Sequence, residues 1–150
     1  MLPEGFYFGI GFEQEMPWSS YLTTLEQHRH GVSLPENYVP STFLVADVAG
    51  EIVGRTSIRH VLNDFLAREA GHIGYGVLPA RRRRGYATEI LRQSLIVGRA
   101  IGIDRVLVTC DDDNTGSATV IETCGGRLDS VISAADGTPK RRYWIGGDPP

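Results

Sequence analysis

The sequence predicts one mixed α/β domain: a largely antiparallel sheet with a single parallel step, flanked by helices. Three observations carry this. Two pairs of strand-like segments are joined by short glycine turns, Ala49-Gly50 and Asp136-Gly137, as antiparallel hairpins are. Between the pairs, a strand-like, a helical and a short apolar segment follow one another from Gly71 to Cys110, the order of a βαβ crossover with locally parallel strands. The length of 150 residues suits one domain with a core of its own, so 1–150 is read as a single unit.

The elements follow in order. Phe6-Tyr7-Phe8-Gly9-Ile10 is the candidate for a strand ahead of the first helix. Trp18 to Arg29 carries Trp18, Tyr21, Leu22 and Leu25 at helical spacing, with Trp18, Tyr21 and Leu25 read as core. Pro35, Asn37 and Pro40 mark a loop. Ser41 to Asp47 and Glu51 to His60 form the first hairpin, and Val61 to Ala70 is a connection with a short helix around Asp64 to Arg68. Gly71 to Leu78 is a third strand holding three glycines. Glycine weakens a strand, and its presence there marks a bulge or the close approach of a ligand or another backbone. Ala87, Ile90, Leu91, Ser94, Leu95, Val97 and Ile101 keep helical periodicity up to Gly102. Arg105 to Cys110 is a short buried strand. Thr115 to Thr123 is a helix, capped by Asp113-Asn114 and ended by Gly125-Gly126. Leu128 to Ser133 and Arg141 to Ile145 form the closing hairpin, which could support a homodimer.

Composition excludes several classes. Hydrophobic residues make up 41% and charged residues 22%, and the formal net charge is -3. That balance argues against a nucleic-acid binder, which is basic over a whole face. No apolar run is long enough to span a membrane and the start is polar, so a cytoplasmic protein without membrane contact is expected. Cys110 and Cys124 lack CxxC spacing and are read as free thiols, with no metal site.

Arg81-Arg82-Arg83-Arg84 precedes Gly85-Tyr86-Ala87-Thr88 at the start of a helix. Such a run is a solvated surface, a nucleic-acid patch or an anion cradle. A helix N-terminus presents unpaired N–H groups and partial positive charge, where phosphate is a common guest. Gly85 and Ala87 are small enough to let it approach, and arginine adds bidentate charge at the rim. The cradle is the reading that the setting favours.

Pro79-x-x-Arg82-x-x-Gly85-x-Ala87, with Asn114-x-x-Ser117 after the next strand, resembles the two motifs of the GNAT acetyltransferases. The likeness is specific across Gly71 to Gly126 and extends by strand order over Ser41 to Ile145. It implies the GNAT fold, with a central splayed pair of parallel strands, and acetyl-CoA as cosubstrate. It implies that Arg82, Arg83, Arg84, Gly85, Tyr86, Ala87 and Thr88 hold the pyrophosphate and that Tyr75, Gly76 and Val77 lie along the pantetheine. Backbone N–H groups near Val77 would reach the thioester carbonyl, and Asn114 and Ser117 the pantetheine or sulfur end. Many members carry a tyrosine seven residues after the motif asparagine, to protonate the departing thiolate. Here that position is Ile121, which leaves Ser117 or water for the role.

For the base, His72 and His60 titrate near neutral pH, although each also reads as an ordinary sheet histidine. Asp111, Asp112 and Asp113 follow a strand end; one of them, Asp111, is the candidate to attract a cationic amine, the others a solvated turn and helix-start acid. Cys110 reads as packing and Glu122 as structural. The resulting expectation is an N-acetyltransferase acting by direct transfer on a small-molecule or peptide amine. The alternative is a non-catalytic CoA-binding sensor or subunit of the same fold.

Overall fold

The computed structural model describes residue 9 and residues 11–147. The candidate strand at Phe6 to Ile10 lies outside these, apart from Gly9. The element order is α1 (Trp18–Arg29), β1 (Ser41–Val48), β2 (Glu51–Arg59), a π turn (Leu66–Ala70), β3 (Ile73–Val77), a 3-10 turn (Pro79–Arg81), α2 (Tyr86–Ile101), β4 (Val106–Asp111), α3 (Thr115–Thr123), β5 (Arg127–Ser133) and β6 (Pro139–Ile145). The mixed α/β class holds, with helices against antiparallel sheet.

The expected parallel step takes a more splayed form than a ladder. The described strands form two three-stranded antiparallel sheets, β1-β2-β3 and β4-β6-β5. They meet at one antiparallel bridge, Gly71 to Val108, beside which the His72 N–H donates to the Leu107 carbonyl at 2.8 Å. No parallel ladder joins β3 to β4 among the described residues. Gly71 explains how the chains come so close. Its backbone sits at φ 70° and ψ -170°, a region reserved for glycine, and a Cβ there would lie 2.4 Å from the Leu107 carbonyl oxygen.

The core lies between the sheets and the helices α2 and α3. Ile58, Ile73, Leu91, Val106, Val108, Ile121 and Tyr143 form its centre. α2 buries Ile90, Leu91, Ser94 and Gly98, one face of a 3.6-residue repeat. Ser94 is buried because its Oγ lies 2.7 Å from the Ile90 carbonyl and 2.9 Å from Thr56 Oγ1. The carbonyl can only accept, so Ser94 donates to it and Thr56 donates to Ser94.

α1 corrects one expectation. Only Tyr21 of its apolar stripe is buried, and Trp18 is 61% exposed. Trp18 instead joins Phe12 and Tyr21 in an aromatic cluster, with ring centroids 5.2–5.5 Å apart. The short helix expected around Asp64 to Arg68 is present as a wider coil that ends in the π turn, where the Gly71 N–H reaches back to the Leu66 carbonyl at 2.6 Å.

Candidate active site

The gap between β3 and β4 is bounded by the N-termini of two helices, one after each strand. β3 hydrogen-bonds to β2 on one edge only. The Leu78 N–H donates to Val53 and the Arg59 N–H to the His72 carbonyl. Antiparallel alternation therefore turns the N–H groups of Ile73, Tyr75 and Val77 away from β2, toward the gap.

The arginine run leaves β3 through the 3-10 turn. Arg81 turns back to an ion pair with Glu51 at the start of β2. Arg82, Arg83 and Arg84 are exposed. Arg82 Nε donates to the Val77 carbonyl at 3.3 Å, which ties the loop to the strand end. Arg83 adopts φ 64° and Gly85 φ 83°, so two left-handed residues wrap the chain tightly into α2 at Tyr86. No side chain caps α2, and a Cβ at Gly85 would meet nothing within 4 Å. The first-turn N–H groups at Tyr86, Ala87 and Thr88 have no partner within the helix. Around Gly85 the helix start is open, next to exposed Arg82, Arg83 and Arg84, a setting that suits an anion.

The other helix start is closed. Asn114 Oδ1 accepts the Ser117 N–H at 3.0 Å, the cap that the sequence predicts. Its acceptor is thereby used, and Nδ2 remains for a ligand. Ser117 Oγ lies 3.0 Å from the Tyr75 hydroxyl, across the gap from β3. Burial raises the Tyr75 pKa, against the lowering effect of the Ser117 bond. Tyr75, Asn114 and Ser117 are thus brought together, although Tyr75 and Ser117 are 42 residues apart. The sequence names all three residues, but no local signal couples the two hydroxyls.

The titratable candidates are placed differently. His72 is buried in the join between the sheets, and its Nδ1 accepts the Leu107 N–H at 2.9 Å. An amide can only donate, so Nδ1 carries no proton and the neutral ring holds its proton on Nε2. Taking up a second proton would break the Leu107 bond. Burial, then the charge of Arg59, holds the His72 pKa below its ordinary value. His60 Nε2 is 2.8 Å from Thr42 Oγ1, and burial lowers its pKa too. Asp111 pairs with Lys140 at 2.8 Å and Asp112 with Arg141 at 2.7 Å, while Asp113 is exposed. Cys110 is buried with its pKa raised by burial, an unreactive setting for a thiol. Glu122 accepts the hydroxyl of the fully buried Tyr143 at 2.8 Å. Ile121 is fully buried in the core and cannot face a substrate.

No motif marks Arg55 and Arg59, yet β2 turns both to the face opposite α2. The readable signal was basic residues at i and i+4 of a strand whose intervening positions alternate with buried Thr56 and Ile58. Among the described residues no group of His, Cys, Asp and Glu side chains is placed to hold a metal ion, and no helix is long and apolar enough to cross a membrane.

A family model described as an acetyltransferase (GNAT) domain matches residues 12–127. No curated protein matches the sequence. Among solved structures, a ribosomal-protein-alanine N-acetyltransferase from Brucella melitensis superposes with a TM-score of 0.65 at 14% identity, covering 85% of this chain and 76% of its own. The microcin C7 self-immunity acetyltransferase MccE, in complex with acetyl-CoA and AMP, gives 0.62 at 18% identity over 85% of this chain and 68% of its own. A point mutant of the spermidine N-acetyltransferase SpeG of Vibrio cholerae gives 0.62 at 13% identity over 90% of this chain and 80% of its own. At such identities the likeness is one of fold.

Proposed function

The chain belongs to the GNAT acetyltransferase family, and from that premise we propose that it moves the acetyl group of acetyl-CoA to a primary amine by direct transfer. The observation that carries the reading is the uncapped start of α2 at Gly85, behind the exposed Arg82, Arg83 and Arg84. A helix start in this state offers backbone donors, positive charge and room, which are the needs of a pyrophosphate. The solved relative MccE is described with acetyl-CoA bound, which supports the same ligand here.

Acetyl-CoA would supply an activated acyl group on a thiol that can leave. The chain's part is to hold, orient and donate. Arg82 to Thr88 hold the pyrophosphate. The N–H groups of Tyr75 and Val77, turned into the gap, pair with the pantetheine, and the one at Val77 donates to the oxygen that gains charge as the amine attacks. Tyr75, Gly76 and Val77 thus give backbone to the ligand. Asn114 Nδ2 and Ser117 Oγ meet the arm from the far side. The Tyr75–Ser117 hydroxyl pair is the proton source for the leaving thiolate, in the role that Ile121 cannot fill. His72 is kept by its Leu107 bond as a join between the sheets, and Asp111 stays on Lys140.

The test is isothermal titration of acetyl-CoA into the wild type and an Arg82→Ala, Gly85→Glu double variant. The expected result is micromolar binding that the variant loses. Absence of wild-type binding would sink the reading. The burial of Ile121 favours a second reading, a CoA-binding sensor or subunit without catalysis. Thiol release with any amine of a broad panel excludes that alternative.

A further inference from the structure

We propose that the acceptor is a small amine carrying a carboxylate or similar anion, and that Arg59 is the residue that recognises it. The proposal rests on the N-acetyltransferase reading above and names the substrate class for that site.

The face of β2 and β3 turned away from α2 carries two arginines opposite two glycines. Thr56 and Ile58 point to α2 and the core, where Thr56 meets Ser94. Strand alternation therefore puts Arg55, Ser57 and Arg59 on the opposite face. Across the ladder, Gly76 pairs with Arg55 and Gly74 with Ser57. Neither glycine has positive φ, so the backbone does not demand glycine at either position. At Gly74 the reason is space. A Cβ there would lie 3.2 Å from Arg59 Nη2 and 3.3 Å from Nη1. The missing side chain lets the guanidinium lie across β3.

Arg59 is only half satisfied in this position. It is partly buried, and Nη1 reaches the Ala70 and Gly71 carbonyls at 3.3 and 3.4 Å, both long for hydrogen bonds. No carboxylate pairs with it among the described residues. Nε and Nη2 make no bond there, and neither is sealed from solvent. Arg55 stands on the same face and adds repulsion. A cation held half out of water is costly unless an anion joins it. An open N–H pair on a planar guanidinium matches the two oxygens of a carboxylate.

The distance fits a small molecule. Gly74 is two residues from Gly76 and three from Val77, or roughly 7–10 Å along the strand. The guanidinium width shortens that span. An amino acid of that length places its carboxylate on Arg59 and its amine near Val77.

The experiment compares kcat/KM for a panel of α- and ω-amino acids, each matched to the amine lacking its carboxylate, such as 4-aminobutyrate and butylamine. Wild type and Arg59→Gln are assayed, with acetyl-CoA titrated into both. The expected result is a preference of at least tenfold for the acids, reduced below threefold in the variant, with acetyl-CoA binding unchanged. Gly74→Ala, which crowds the guanidinium, reduces the preference in the same direction if Arg59→Gln folds poorly. Equal use of both members of each pair, no turnover of any member by protein that binds acetyl-CoA, or an equal loss for both in the variant overturns the proposal. The last result would make Arg59 a tie to the π turn alone. If the protein fails to bind acetyl-CoA, the transferase reading falls. The proposal is then decided by saturation-transfer NMR of the same amino acids. Signal lost in Arg59→Gln supports it, and equal or absent signal overturns it.

Discussion

α2 and α3 begin on the two sides of one gap, and their N-termini are finished in opposite ways. α3 starts at Asn114, whose side chain caps its own helix. α2 starts at Gly85, which has no side chain to cap with and follows three exposed arginines. A cap is worth about 1 kcal/mol, with serine, threonine, asparagine and aspartate the usual suppliers. The chain uses that device at one start and omits it at the other. The closed start is held by its own chain, while the open start is the one proposed to take the phosphates.

The comparison can be broken at its open end with the largest effect. Gly85→Glu places a carboxylate where the phosphates are proposed to sit. We expect acetyl-CoA affinity to fall by about 100-fold, roughly 2.7 kcal/mol, in a calorimetric titration, with the circular dichroism spectrum retained. At the closed end the larger damage should fall on stability, because Asn114 Oδ1 holds the cap. Asn114→Ala should cost about 1 kcal/mol, read as a lower midpoint in urea, while Asn114→Asp keeps the cap and most of the stability. A smaller change should follow from Tyr75→Phe, which removes the hydroxyl facing Ser117. One neutral hydrogen bond contributes about 1 kcal/mol or less. If Tyr75 also donates the proton, kcat falls in this variant while the acetyl-CoA dissociation constant stays within twofold.

The smallest effect concerns what holds the two ends in register. α2 follows β3 and α3 follows β4, and His72 links the start of β3 to Leu107 of β4. The folded-state pKa of His72 lies below its ordinary value of 6.5. The unfolded chain therefore binds more protons in the window just below pH 6.5, and stability falls as pH drops through it. A thermal melt should show a lower Tm at pH 5.5 than at 7.5. His72→Asn, with an amide oxygen to accept from Leu107, should flatten part of that slope. His60, shifted in the same direction, keeps the rest.

Much of this was legible because it is local. The bounds of α1, the Asn114 cap, the glycine turns of both hairpins and the amphipathic face of α2 depend on residues a few positions apart. The arginine run read correctly as a break between strand and helix for the same reason. What could not be read depends on distant partners. The sequence cannot say that β6 inserts between β4 and β5, or that β3 and β4 meet at a single bridge. Nor does helical spacing say how much of α1 has something to pack against, which is why Trp18 looked like core. Tyr75 meeting Ser117 and Arg59 lying over Gly74 are products of register, and register appears only when the sheet is assembled.

The strand order also sets a timetable for synthesis. β4 carries Leu107 and Val108, both fully buried, yet among the described residues its only ladder partner is β6. A nascent chain can therefore join β4 to the earlier strands only through Gly71 and His72, and its ladder edge waits for residues not yet translated. At roughly 5–20 residues per second, that interval lasts a few seconds. The hairpin β1-β2 and the pairing of β3 can form before it. The second sheet closes only when Pro139–Ile145 slides between its neighbours. The second sheet is therefore exposed for as long as β6 lags behind β4, and α3 and β5 must both be made within that interval.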